Sequence, residues 1–109
     1  MKIFVRESGE TTIVEVTGDV DLGTSPDLRR TLFDALTRAP RLALNLGAIR
    51  YIDSSGIATL IEVLKNSQQR NKQFVLFGVS PAVQQVFRLM HVGQIFRVFQ
   101  TEEEALASA

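Results

Sequence analysis

The sequence predicts a single α/β domain over residues 1–109, with a mixed, mostly parallel sheet of about four to five strands. Its length suits one hydrophobic core. Strand-like segments alternate with amphipathic helical segments, which favours parallel strands joined by helices. In one predicted strand, Leu42, Leu44 and Leu46 alternate with small or polar residues. That pattern is typical of a sheet buried on one face, so we expect about four helices packed mainly on one side.

The N-terminal third of the chain predicts a hairpin followed by a helix. Residues 2–7 and 12–17 read as two strands joined by a polar turn, and Gly18 is expected to end the second. A loop over residues 19–24 leads to Ser25 as N-cap and Pro26 as the first helical residue. This helix is expected to reach about residue 38, with these residues on its inner side: Leu28, Leu32, Ala35, Leu36 and Ala39.

The rest of the chain predicts two further helical crossovers. Strands at 42–46 and 74–77 flank a helix at about 55–70, a unit that pairs its strands in parallel. Ser80 and Pro81 begin another helix, whose apolar positions are Val83, Val86, Phe87 and Met90. A short strand follows at residues 95–99. Thr101 and Glu104 then form a capping box for a terminal helix with Ala105 and Leu106 inward.

The segment Asp53-Ser54-Ser55-Gly56 stands between the predicted third strand and the second helix. The free amides of a helix start make Ser54 or Ser55 a good N-cap, which leaves the other serine available. Gly56 would let another molecule approach the backbone closely. On the helix itself, one face carries the apolar residues Ile57, Leu60, Ile61 and Leu64.

Composition narrows the classes of partner and cofactor. Lys plus Arg equals Asp plus Glu, so no net charge favours a nucleic acid or an anionic membrane. The absence of cysteine excludes disulfides and thiolate metal sites and fits a cytoplasmic protein. No apolar run approaches the roughly 18 residues that would span a bilayer. We expect no metal and no cofactor.

Catalysis is not expected from this sequence. A nucleophilic serine needs a base, and the only histidine, His91, lies in a segment that reads as a helix end. Neither a Gly-x-Ser-x-Gly elbow nor a phosphate-binding Gly-x-x-x-x-Gly-Lys loop is present. The protein is therefore more plausibly a substrate than an enzyme.

The segment Asp53-Ser54-Ser55-Gly56-Ile57 resembles the signature of the STAS family, in particular that of bacterial anti-sigma factor antagonists. Gly18-Asp19-Val20-Asp21 resembles the family's turn after the second strand, and Leu44-Asn45-Leu46 resembles its third strand. Asn45 stands where that family usually has aspartate, which puts a local side-chain hydrogen bond in question.

The resemblance implies a partner-switching cycle. The unphosphorylated protein would bind an anti-sigma factor that is also a serine kinase, and so release a sigma factor. Phosphorylation of Ser55 would end binding, and a serine phosphatase would restore it. Self-association is expected to be absent or weak. The expected docking face comprises Asp21, Asp53, Ser54, Ser55, Gly56 and Ile57.

Two alternative functions are also compatible with the sequence. The strongest is a non-switching accessory subunit that docks onto the ATPase of an ABC transporter, with Ser55 serving only as a cap. A module of a larger signalling assembly is a further alternative. Asp19 and Asp21 have an equally good explanation as carboxylates that form and solvate a turn.

Overall fold

Strands and helices alternate along the chain in the computed structural model, which describes residues 1–108. Within that range there are five strands and four helices. In chain order they are β1 (Lys2–Ser8), β2 (Thr11–Val20), α1 (Ser25–Arg38), β3 (Arg41–Ile52), α2 (Ser54–Gln69), β4 (Gln73–Phe77), α3 (Pro81–Leu89), β5 (Arg97–Phe99) and α4 (Glu102–Ala107).

The five strands form one sheet in the order β1-β2-β3-β4-β5. β1 and β2 pair antiparallel, and every other neighbouring pair is parallel. The predicted N-terminal hairpin and mostly parallel sheet are therefore confirmed. Because β2, β3 and β4 run in the same direction, their carboxyl ends meet at one edge of the sheet.

The two faces of the sheet are covered unequally. Helices α1, α2 and α3 pack on one face over the larger core, to which the sheet contributes Val14, Val16, Val20, Leu42, Leu44, Leu46, Ile49, Ile52, Phe74 and Leu76. The short helix α4 packs on the other face through Ala105, against Ile13, Ala43, Val75 and Phe77. The expectation that helices lie mainly on one side is confirmed.

Strands β2 and β3 are longer than the sequence pattern predicts. β2 continues past Gly18, which has φ +89°, to Val20, and β3 continues past Leu46 to Ile52. The pairing shifts register twice along these strands, between Glu15 and Thr17 and again between Gly18 and Asp19. Such bulges break the alternation of buried and exposed residues, which is the signal that marks a strand in sequence.

The predicted helix starts at Ser80 and Thr101 are confirmed, and the one at Ser25 is wrong. The Ser80 hydroxyl accepts the Val83 amide at 3.3 Å and donates to the Ile49 carbonyl at 3.1 Å. Thr101 accepts the amide of Glu104 at 3.2 Å. Ser25, however, is the first residue of α1 and is buried, because its amide bonds to the Asp21 carbonyl at 2.8 Å in a turn that leads directly into the helix.

Arg41 is a buried charged residue that the sequence analysis did not single out. It begins β3 and is only 5% exposed. Its guanidinium donates to the Gln73 side chain at 2.7 Å, to the Leu106 carbonyl and to the Ser108 hydroxyl. Burial lowers the pKa of the Arg41 guanidinium, with a further effect from Arg97. Arg41 thus ties α4 to the sheet edge opposite the carboxyl ends of the strands.

Candidate functional site

The carboxyl ends of β2 and β3 are joined by a backbone hydrogen bond at the start of α2. The Asp53 amide donates to the Val20 carbonyl at 3.1 Å. Asp53 is the single residue between β3 and α2, so most of the segment between the predicted strand at 42–46 and the predicted helix at 55–70 is strand. This tight connection brings the serine pair beside the loop that follows β2.

Asp53 caps helix α2, which corrects the prediction of a serine cap. Its Oδ1 atom accepts the backbone amides of Ser55 at 2.9 Å and Gly56 at 3.3 Å, and the Ser55 hydroxyl at 2.5 Å. The Ser55 hydroxyl bond is the largest effect that lowers the pKa of the Asp53 carboxyl, with further lowering by amides of Gly56, Ser55 and Leu22. Desolvation opposes this effect. The site therefore carries an ionised carboxylate at neutral pH.

The two serines differ in accessibility. Ser54, the first residue of α2, is exposed to solvent. Ser55 is half-buried, and its hydroxyl donates to Asp53. The sequence pattern left open which serine would be available for other work, and the geometry leaves Ser54 as the more accessible of the two.

Gly56 and Ile57 lie beneath the site and not on its surface. A Cβ atom on Gly56 would stand 2.6 Å from Ile52 Cγ1 and 2.8 Å from Val20 Cγ1. A glycine is thus required here because the side chains of Ile52 and Val20 approach its backbone closely, and not because another molecule does. Ile57 is 0% exposed, so its place in the expected docking face is also wrong.

Asp21 organises the loop after β2. Its Oδ1 atom accepts the Gly23 amide at 3.0 Å, the Thr24 amide at 3.1 Å and the Thr24 hydroxyl at 3.1 Å. The turn-forming explanation of Asp21 is therefore correct, and the residue still lies at the same edge as Ser54. The loop also carries Leu22, which is 77% exposed and which the sequence analysis missed.

Asn45 retains a local hydrogen bond despite its departure from the family pattern. Its Oδ1 atom accepts the Gly47 amide at 2.9 Å. An amide oxygen serves here as well as a carboxylate oxygen would, because the bond needs only an acceptor. The substitution changes charge on this strand without leaving the Gly47 amide unpaired.

His91 follows the C-cap of α3, is exposed and has φ +56°. Among residues 1–108, no group of three or more His, Cys, Asp or Glu side chains could hold a metal ion. None of the helices in that range is long and apolar enough to cross a bilayer.

The structure thus presents an exposed serine at the start of α2, beside the loop that follows β2. The family model of the STAS domain matches residues 2–105, and the chain therefore belongs to the STAS domain family. An anti-sigma-B factor antagonist from Staphylococcus aureus is 31% identical over 88 residues, which cover 74% of this chain and 82% of that protein.

Two solved structures of the Bacillus protein SpoIIAA share the fold. Its unphosphorylated form, described as an anti-sigma factor antagonist, superposes with a TM-score of 0.81 over 96% of this chain and 93% of that one, at 21% identity. Its phosphorylated form superposes with a TM-score of 0.76 over 98% of each chain, at 20% identity. At such identities the likeness concerns the fold alone.

Proposed function

We propose that this protein is a cytoplasmic anti-sigma factor antagonist. Its unphosphorylated form binds an anti-sigma factor that is also a serine kinase, and a sigma factor is thereby released for transcription. The observation that carries the proposal is the exposed Ser54 at the start of α2, in a STAS domain with a relative named anti-sigma-B factor antagonist. Binding is the active output, and no chemistry by this chain is required.

The docking face that we propose is called the serine edge and comprises Asp21, Asp53, Ser54 and Ser55. These residues follow β2 and β3, whose ends are held together by the bond from the Asp53 amide to the Val20 carbonyl. Each of the four is at least partly accessible to solvent. Gly56 and Ile57 support the edge from below, since both are buried.

Phosphorylation of one serine in this edge ends the interaction. The family resemblance points to Ser55, but the contacts favour Ser54 as the acceptor. A kinase can reach the exposed Ser54 hydroxyl directly, whereas the Ser55 hydroxyl would first have to leave its 2.5 Å hydrogen bond to Asp53. We therefore propose Ser54 as the acceptor and Ser55 as a ligand of the capping carboxylate, with Ser55 as the alternative acceptor.

The energetic effect of the phosphate differs between the free and the bound protein. A phosphoserine adds about −1.5 to −2 charges, and the positive end of the α2 dipole tolerates an anion at this position. Inside a closed interface, an unpaired desolvated charge costs about 3 to 5 kcal/mol. Since each 1.4 kcal/mol is about tenfold, the dissociation constant should rise roughly a hundredfold to a few thousandfold. A serine phosphatase would reverse the change.

The acceptor is tested by mass spectrometry. The protein is incubated with ATP and each serine-kinase anti-sigma factor encoded in its source genome, and phosphopeptides are then located. We expect phosphate on Ser54, lost in Ser54→Ala and retained in Ser55→Ala. Phosphate confined to Ser55 would return the assignment to the residue that the resemblance indicates. Phosphate only on other residues would contradict the switch.

Binding by the same anti-sigma factors provides the second test. We expect Ser54→Ala to bind persistently in the presence of ATP and Ser54→Asp to bind poorly. Gln85→Glu serves as the control, because it adds a negative charge on an exposed position of α3. Equal affinity of Ser54→Ala and Ser54→Asp would contradict the electrostatic argument. Stable copurification with a transporter ATPase, without phosphate exchange, would favour the accessory-subunit reading instead.

A further inference from the structure

Leu22 is an exposed apolar side chain immediately beside the serine edge. It is 77% exposed, the highest value among the exposed large apolar residues of the described range. A single exposed leucine is common on protein surfaces and by itself indicates nothing. Its position and the hydrogen-bonded backbone that carries it are what distinguish this one.

The backbone that carries Leu22 is held by hydrogen bonds on both sides. Asp21 accepts the amides of Gly23 and Thr24, and the Asp21 amide donates to the Thr24 hydroxyl at 2.9 Å. The Asp53 amide donates to the Val20 carbonyl at 3.1 Å, which ties the start of this loop to the start of α2. The backbone around Leu22 is thus held relative to the start of α2, while the Leu22 side chain is exposed. A backbone that is already ordered has little conformational entropy to lose on binding.

The surroundings of Leu22 are acidic. Asp19, Asp21 and Asp53 all lie at this edge, and one cation, Arg50, stands 3.5 Å from Asp19 across the strand pair. Two of the three carboxylates thus remain without a cationic neighbour among the ion pairs of residues 1–108. An apolar tip with an acidic rim is complementary to an apolar pocket with a basic rim.

We infer that Leu22 is the apolar anchor of the docking face and enters a pocket with a basic rim on the anti-sigma factor. The inference rests on the proposed function and deepens it. Leu22 supplies buried apolar contact, while the carboxylates orient the encounter. The phosphate acts next to this anchor, so a charge added at the start of α2 keeps the pocket from closing over Leu22.

The test compares two leucines of nearly equal exposure. Leu89 is 72% exposed and is the last residue of α3, which follows β4 and contributes no residue to the serine edge. The wild type and the variants Leu22→Ala, Leu22→Met and Leu89→Ala are titrated with each purified anti-sigma factor from the source genome. We expect Leu22→Ala to weaken binding by about tenfold or more, because central apolar anchors dominate interfaces. Leu22→Met and Leu89→Ala should remain within about threefold of the wild type.

The association and dissociation rates, and their dependence on salt, distinguish the contribution of Leu22 from that of the carboxylates. The loss in Leu22→Ala should come mainly from faster dissociation, because an apolar contact acts only at short range. Higher salt should slow association of the wild type and of Leu22→Ala alike, since both keep the carboxylates. Melting curves should show that Leu22→Ala folds like the wild type.

The failure of this inference is distinguishable from the failure of the proposed function. If the wild type binds an anti-sigma factor and Ser54→Asp abolishes binding, while Leu22→Ala binds within about twofold of the wild type, the anchor is refuted and the switch stands. If the wild type binds none of the anti-sigma factors, both are overturned.

Discussion

Asp53 is the residue of the serine edge that connects β3 to helix α2. It caps two backbone amides and accepts the Ser55 hydroxyl with one oxygen. We predict that Asp53→Ala lowers the free energy of unfolding by about 1 kcal/mol, the usual cost of losing an N-cap. Asp53→Asn should lose less, because asparagine can still accept the helix amides but lacks the charge of the carboxylate. Urea denaturation at neutral pH measures both, and equal stability of all three proteins would contradict the capping role.

The same residue predicts a pH dependence with a definite sign. The Ser55 hydroxyl and the helix amides hold the pKa of the Asp53 carboxyl below its ordinary value in the folded protein. The stability contributed by the ionised carboxylate is therefore present above the unfolded pKa and is lost as pH falls through the folded pKa. The stability difference between wild type and Asp53→Asn should shrink in acid. A difference independent of pH would contradict this prediction.

Gly56 is predicted to be intolerant of even a methyl group. The added Cβ of Gly56→Ala would meet Ile52 and Val20 at distances that real side chains do not adopt. We expect the free energy of unfolding to fall by about 1–3 kcal/mol, although alanine is the better helix former. Gly93→Ala is the matched control, because its new Cβ would stand 3.8 Å from the nearest atom, Phe87 Cβ. Similar melting temperatures for both variants would show that the contact relaxes freely.

Single residues at the site were predicted less well than the motif that contains them. Only Ser54 and Ser55 were considered as the cap of α2, although aspartate is as good an N-cap as serine, and the structure uses Asp53. The choice depends on where β3 ends, and β3 extends to Ile52. Leu22 was missed because one apolar residue in a polar loop has no periodicity to mark it.

At the scale of elements, helix α4 is held to the sheet by the side chain of Arg41. Arg41 bonds to the Leu106 carbonyl and to the Ser108 hydroxyl from the start of β3. In Arg41→Met we expect the amides of α4 to exchange hydrogen about fivefold to a hundredfold faster, which corresponds to about 1–3 kcal/mol of local stability.

The control for this prediction is Arg70→Met. Arg70 is exposed and makes only a 3.4 Å contact with the Thr37 hydroxyl, so exchange in α4 should not change in this variant. Exchange measured residue by residue would also test locality. Equal acceleration throughout the sheet in Arg41→Met would mean that Arg41 supports the whole domain and not α4 alone.

Element identity was predictable because helical and strand periods are distinct, and each of the nine elements was recognised. β2 was expected to end at Gly18, but the strand continues through that glycine to Val20. In β3, the register shift opposite Glu15 and Thr17 interrupts the alternation after Leu46, so the strand seemed to stop early. β5 begins at Arg97 and not at Ile95, because the Ile95 amide closes a turn onto the Val92 carbonyl.

At the scale of the whole molecule, phosphorylation should leave the fold intact. We predict that Ser54→Asp melts within a few degrees of the wild type, since an added acid at the start of α2 gains about 0.3–1 kcal/mol from the dipole and loses a similar amount to Asp53. Circular dichroism measures this directly. A melting temperature lowered by more than about 8 °C would correspond to over 1 kcal/mol and would mean that charge acts by unfolding.

The mostly parallel sheet, with helices mainly on one face, could be predicted from the sequence. Every parallel pair of strands is joined through a helix, which leaves little choice of strand order. The residues of the proposed docking face could be predicted only in part from the sequence. Patterns of residue type locate an edge, but they do not say which side chains at that edge are committed to internal bonds. Here Asp21 and Ser55 are so committed, while Ser54 and Leu22 point outward.

The turn that holds Leu22 takes its hydrogen bonds from Asp21 and Thr24, and the leucine side chain has no structural duty of its own. Evolution can therefore exchange that one side chain without disturbing the scaffold. In a genome that encodes several paralogous pairs of this kind, a different side chain at position 22 of each copy, matched by a complementary pocket in its own regulator, would prevent binding between the wrong partners.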